Sequence, residues 1–259
     1  MWSRSWIASL VRLHPLSAWI VHILATFAVV GIVYFFAAVT VEELLRPLYD
    51  PIQRTISELA VGPLGYLQTS AFVVLGLSLL ALQHALYRRL RHTVVSRIAL
   101  ILLGLCGVFS FVAAAFPTDL RGAVVTAAGT IHDLVASFGY AGLIIAMILL
   151  SLHFRRDPHW RPFFRPSSGL AALGVATSIF MGATSNTDLS GLSQRVMVVP
   201  LLVWVVLTSL HVRSLPRRTA TLAPLAAELA GAAEGPDRAA EAAARAGLAP
   251  PDSPPADRA

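Results

Sequence analysis

Long apolar runs alternate with short polar stretches along this chain, and the alternation has the scale of a bilayer. Six runs, Ala18–Val41, Tyr66–Tyr87, Val95–Phe116, Val125–Leu152, Gly169–Thr184 and Val196–Val212, reach or approach the roughly 20 residues that carry a helix across the hydrocarbon core. Backbone polar groups cannot stay unpaired in lipid, so each run is expected to be helical. The pattern predicts an all-α polytopic membrane protein. A six-transmembrane-helix bundle at 18–214 follows an interfacial N-terminal segment at 1–17 and precedes a tail at 215–259. The fifth run is the shortest and least greasy, which reads as a span packed against protein. Its Gly174, Ser178 and Gly182 recur at four-residue steps, the small-residue spacing that lets helices approach closely.

The polar stretches are of two kinds. Arg88, Arg89, Arg91 and Arg97 lie between the second and third runs, Arg155, Arg156, Arg161 and Arg165 between the fourth and fifth, and Arg213, Arg217 and Arg218 after the sixth. The alternate stretches hold only Arg46 and Arg54, Arg121, and Arg195. Positively charged loops stay inside, so this distribution predicts a multi-pass protein of the cell (plasma or inner) membrane with both termini cytoplasmic. Trp160, Phe163 and Phe164 are expected to hold the second arginine-rich loop at the headgroup level.

Composition supports the same reading. The 259 residues are 56% hydrophobic and 13% charged, well outside the range of soluble domains. The net charge of +6 comes from arginines beside the spans and is no nucleic-acid footprint. The single cysteine, Cys106, lies in an apolar run and reads as a buried small hydrophobe. Trp2, Trp6 and Trp19 suit an interfacial lead into the first span, with no cleavage site that would remove it. After Pro216 the chain turns to Ala, Pro and charge, a composition that reads as a cytoplasmic, mostly disordered tail.

Candidate chemistry gathers on the side opposite the arginine clusters. Tyr49–Gly65 (YDPIQRTISELAVGPLG), FPTD at Phe116–Asp119, TIHD at Thr130–Asp133 and SNTDLSGLSQR at Ser185–Arg195 all fall there. Ionisable groups at membrane depth usually face a bundle interior and pair with one another. The candidate ligand-binding residues are Glu58, Asp119, His132, Asp133, Asp188, Gln194 and Arg195. Arg195 opens the sixth span, where the helix dipole disfavours a cation, so Asp188, Asp119 or Asp133 is expected to offset it. Each residue also has a plainer role. Thr55 or Ser57 can cap a short helix with Ser57 and Glu58 as its solvated first turn, Asp119 can close a turn, and Asn186, Asp188 or Ser190 can cap the sixth span.

Signatures of catalysis are sparse. There is no HExxH and no CxxC, so no cofactor is predicted, although Asp119, His132 and Asp188 together could hold a metal ion. Ser57, Asp119 and His132 are the catalytic candidates if the protein is an enzyme, but nothing like GxSxG surrounds Ser57. His22, His84, His153 and His211 lie near span ends, where a dipole or snorkelling role suffices.

The motifs together resemble a known family. Asp50, Pro51 and Ile56–Ala60 after the first span, Phe116, Pro117 and Asp119 ending the third, His132 opening the fourth, and Gly191, Leu192, Gln194 and Arg195 opening the sixth are similar to the prokaryotic membrane proteins grouped as domain of unknown function 998. The resemblance covers about residues 15 to 214. It implies a six-span fold and a shared setting for Ser57, Glu58, Asp119, His132 and Arg195, and it implies no reaction. A looser similarity to multi-span metal hydrolases lacks the paired histidines on a late span. The leading expectation is a non-enzymatic protein whose partners are a membrane lipid headgroup or a small polar ligand. Arg195 and His132 would meet the anionic part. A membrane-embedded lipid hydrolase, a small transporter and a purely structural polar network are the alternatives.

Overall fold

The structure, a computed structural model, describes the backbone of residues 4–215 and the side chains of residues 19–215. The Ala/Pro-rich tail, read above as disordered, and the side chains of the interfacial N-terminal segment lie outside the described residues. Residues 19–215 form one compact unit, to which everything below refers.

The described chain is all α-helical: α1 (Arg4–Leu45), α2 (Gly65–Arg89), α3 (Val94–Ala115), α4 (Ala127–Phe154), α5 (Phe164–Thr184) and α6 (Ser190–Ser214), with short 3₁₀ turns at Ile56–Ala60 and Arg161–Phe163. All six helices are long and apolar enough to cross a membrane. Apolar run length located them, and most extend beyond the run where polar side chains continue the helix. Thr93 caps α3 by accepting from Ser96 N, and Thr126 caps α4 by accepting from Gly129 N. The α6 N-terminus has Leu189 at its cap and no side-chain cap, so Asn186, Asp188 and Ser190 do not take that role.

Packing is tightest where side chains are smallest. A Cβ on Gly76 would meet Gly107 O at 2.7 Å, and one on Gly107 would meet Gly76 O at 2.9 Å, so α2 and α3 cross on a glycine pair that admits nothing larger. Ser151 Oγ of α4 and Ser167 Oγ of α5 are 2.6 Å apart, and Trp204 Nε1 of α6 donates to Ser167 Oγ at 2.8 Å. This buried polar knot ties three helices.

Two expectations are corrected here. The fifth span is the least buried of the six, not one sunk in protein. Only a narrow stripe of Ser167, Ala171, Gly174 and Thr177 is buried, with Gly174 against Leu201 and Ile144, and a Cβ on Gly182 would meet nothing. Small residues there reflect a light side-chain complement, not enclosure. Trp160 and Phe163 do not present their rings to the surroundings of the bundle either. Both are buried, Trp160 stacked on Phe154 with ring centroids 4.4 Å apart and His211 packed against Trp160 and Phe163, so these rings contribute their area to the protein core.

Candidate functional site

The three linkers at one end of the bundle meet over its core. Leu192 N donates to Ile52 O at 2.9 Å, Ser190 Oγ to Gln53 O at 2.7 Å, and Arg121 N to Glu58 Oε2 at 3.4 Å. A Cβ on Gly191 would collide with Arg54 O and Pro51 O, so only glycine lets α6 start this close to the first linker.

Arg195 is the pivot of this assembly. Its Nε donates to Glu43 Oε1 at 3.0 Å, and Nη2 reaches the same oxygen and also Tyr49 Oη at 2.7 Å. Nη1 donates to Arg54 O and to Gly191 O, both at 2.9 Å. A guanidinium has five N–H donors, and these contacts engage them all. The acid that offsets Arg195 is Glu43 of α1, not Asp119, Asp133 or Asp188. Tyr49 Oη donates in turn to Thr55 O at 2.8 Å. Burial pushes the Tyr49 phenol up to about 12, against the opposing pull of the Arg195 guanidinium.

Glu58 and Gln194 hold the 3₁₀ turn. Glu58 is buried, not solvated: its Oε1 accepts from Thr55 N at 3.1 Å while Thr55 Oγ1 accepts from Glu58 N, a reciprocal capping box, and Oε2 faces Arg54 Nη1 at 3.4 Å. Gln194 Oε1 accepts from Ile56 N at 2.6 Å, and its Nε2 donates to Tyr140 Oη at 3.3 Å. Arg46 donates to the carbonyls of Glu58 and Leu59.

The aspartates go elsewhere. Asp119 accepts from Thr126 N and Thr126 Oγ1, both at 2.8 Å, a carboxylate serving the N-terminus of α4. Asp133 is exposed and accepts from Thr118 Oγ1 at 3.3 Å. Asp188 is 79% exposed and pairs with Arg121 at 3.0 Å. Asp50 closes a local turn through Ile52 N. Among the described residues no three His, Cys, Asp or Glu side chains stand together as a metal site, so Asp119, His132 and Asp188 are not gathered.

Beneath the 3₁₀ turn lies a cavity of about 70 Å³, walled by Phe35, Ile56, Phe72, Cys106, Leu143 and Leu201 among others. That volume admits on the order of five water-sized spheres. Ser110 lines it with its hydroxyl donating to Cys106 O at 3.0 Å, and Ser57, His132 and Tyr140 line it with hydrogen-bonding capacity left over. Ser57 is buried and its hydroxyl makes no hydrogen bond among the described residues. His132 is 1% exposed, with Nδ1 lying 2.8 Å from Phe116 O and 3.1 Å from Ala113 O. Carbonyls only accept, so Nδ1 carries the hydrogen, and Nε2 has no hydrogen-bond partner among the described residues. Tyr140 Oη accepts from Gln194 and keeps its own proton to donate. No Asp, Glu or Arg lines this cavity.

With this geometry in view, the sequence profile of a family described as protein of unknown function (DUF998) matches residues 29–211. The chain belongs to that family. No curated protein and no solved structure matches it. The profile spans α1 through α6, so this DUF998 member carries the linker assembly and the cavity inside the family domain.

Sequence reasoning had not singled out Glu42, Glu43, Tyr49, Gln68 or Tyr140. The first two stand at the end of the first apolar run, and a Glu–Glu pair one turn before Arg46 was the available signal.

Proposed function

We propose that this integral membrane protein binds a small amphiphile, such as part of a membrane lipid, in the cavity between α1, α2, α3, α4 and α6. The observation that carries the reading is the pairing of an apolar enclosure with Ser57, His132 and Tyr140, which line it and have hydrogen-bonding capacity unfilled. A ligand with an uncharged polar end, a hydroxyl or an ester carbonyl, fits these groups better than an anionic headgroup. No fixed charge lines the cavity, and Arg195 has no donor left to give. Six spans put both termini on one side, and the arginine clusters beside α2–α3 and α4–α5 favour that side being the cytoplasm of a cell membrane. The 3₁₀ turn that covers the cavity then lies at the outer end.

The test is mass spectrometry of lipid extracted from the purified protein, compared with Gly139→Leu, which fills the cavity, and Ser57→Ala, which alters its polar end. The parent is expected to retain an amphiphile near one per chain, Gly139→Leu to lose it, and Ser57→Ala to retain less. Equal lipid in parent and Gly139→Leu would sink the reading. A hydrolytic reading keeps one observation, that Ser57 and His132 share the cavity wall. Against it, His132 Nδ1 faces main-chain carbonyls where a triad would place an acid.

A further inference from the structure

A second buried polar group lies outside the cavity wall, where the last turn of α1 meets the first turn of α2. Glu42 is 0% exposed, and neither carboxylate oxygen has a hydrogen-bond partner among the described residues. Gln68 is also 0% exposed, with both amide atoms unpartnered, and Arg46 Nε is a third orphan. The main chain of Gln68 faces the Glu42 carboxyl. Arg46 stops 3.9 Å short of it, because Nη1 and Nη2 donate to Glu58 O at 3.3 Å and Leu59 O at 2.9 Å.

An ionised carboxylate only accepts, and buried it needs donors on its oxygens. Among the described residues, the cation that reaches it, Arg46, is turned toward main-chain carbonyls. The other charged and titratable groups on the surrounding elements are engaged elsewhere: Glu43 with Arg195, Glu58 with Thr55 and Arg54, and Tyr34 with Ser70 Oγ at 2.7 Å. A carboxylate beside Gln68 would also leave the amide oxygen with no donor. A carboxylic acid removes both conflicts. Its O–H is a donor that Gln68 Oε1 can accept, so one proton supplies the missing donor.

We propose that Glu42 and Gln68 form an occluded proton-binding site, with Glu42 carrying the proton at neutral pH. Release sends the proton to water and leaves a carboxylate that draws Arg46 across the 3.9 Å gap and off the carbonyls of Glu58 and Leu59. Those carbonyls belong to the 3₁₀ turn that presents Ile56 and Ser57 to the cavity, so the proton state of Glu42 sets how firmly that wall is held. The link to ligand rests on the cavity reading above, whereas the proton site does not.

The experiment is infrared difference spectroscopy on the full chain in detergent, with carbon-13 glutamate, at neutral pH. A protonated-carboxyl C=O band present in the parent and lost in Glu42→Gln is expected. Gln68→Met, which keeps the acid and removes its partner, should move the band to higher frequency. Superimposable carboxylic regions in parent and Glu42→Gln would overturn the proposal, as would loss of the band when sodium replaces choline in the buffer, which marks a cation site. If Glu42→Gln does not fold, Gln68→Met decides, and an unmoved band is the adverse result. A band that behaves as expected in protein that retains no lipid leaves the proton site standing and removes the cavity reading.

Discussion

Arg195→Gln tests whether the guanidinium is a structural clamp or a ligand contact. The substitution removes the Glu43 pair and the contacts to Tyr49 Oη, Arg54 O and Gly191 O. The side chains of the ion pair are 19% and 24% exposed, so solvent screens it only in part. Taking about 1–2 kcal/mol for the charge-assisted pair and about 1 kcal/mol for each remaining contact gives about 4–5 kcal/mol gross. The released side-chain entropy offsets about 1 kcal/mol or more. A net loss of about 3 kcal/mol is expected. Arg195→Lys should lose about 2 kcal/mol, since a single ammonium cannot span acceptors on α1, the first linker and α6. Reversible unfolding in mixed micelles, followed by tryptophan fluorescence as the denaturing detergent fraction rises, measures both. Glu43→Gln combined with Arg195→Gln should lose less than the sum of the single losses, because the two share one interaction. A stability for Arg195→Gln within about 0.5 kcal/mol of the parent, together with lost lipid, would refute the clamp and restore the ligand role.

Three further outcomes follow from the same contacts. Tyr49 is protonated in the fold up to about 12, while a free phenol titrates near about 10. Its folded value is raised, so its contribution is fully present below the unfolded value and is lost as pH climbs between the two; unfolding measured across that range should show an alkaline decline that Tyr49→Phe flattens. Gly191→Ala sets a Cβ against the carbonyls of Arg54 and Pro51 and should cost about 1–3 kcal/mol, with faster proteolysis of the first linker as the companion readout. Gln194→Leu leaves Ile56 N buried without an acceptor and should cost about 1–3 kcal/mol in the same unfolding assay, whereas an exposed-residue control such as Asp133→Asn should change little.

The spans and the meeting of the linkers were legible because both follow from one-dimensional facts. Run length fixes a crossing helix, and alternate linkers of a bundle necessarily share a side. Partner choice was not legible, and Glu42 and Glu43 show why. Adjacent helical residues point about 100° apart, so one glutamate turns to Gln68 on α2 and the next to Arg195 on α6. A string that reads VEELLR does not say which face each acid takes. The aspartates were misjudged for a related reason. Asp119 serves the start of α4 and Asp188 a surface arginine, because a short side chain bonds the nearest backbone or cation before it reaches a shared centre. The plainer of the two readings of Ser57 and Glu58 made them one solvated turn, yet the turn is buried and its alternate sides diverge: Glu58 engages the linkers while Ser57 lines the cavity.

That divergence separates the polar residues of this end of the bundle into two groups by chemistry. Arg195, Glu58, Gln194 and Asp119 have protein partners matched to their donors and acceptors. Ser57, His132 and Tyr140 line a cavity with capacity unfilled, and Glu42 and Gln68 are unfilled beneath the linker. Burying an unpaired polar group is costly, and a fold that served stability alone would have apolar residues at these positions. The saturated group fixes the 3₁₀ turn, and the turn fixes what the unsaturated group can meet. Changes in the first group should therefore lower stability and carry ligand loss with it, while Ser57→Ala should lower ligand retention with stability nearly unchanged.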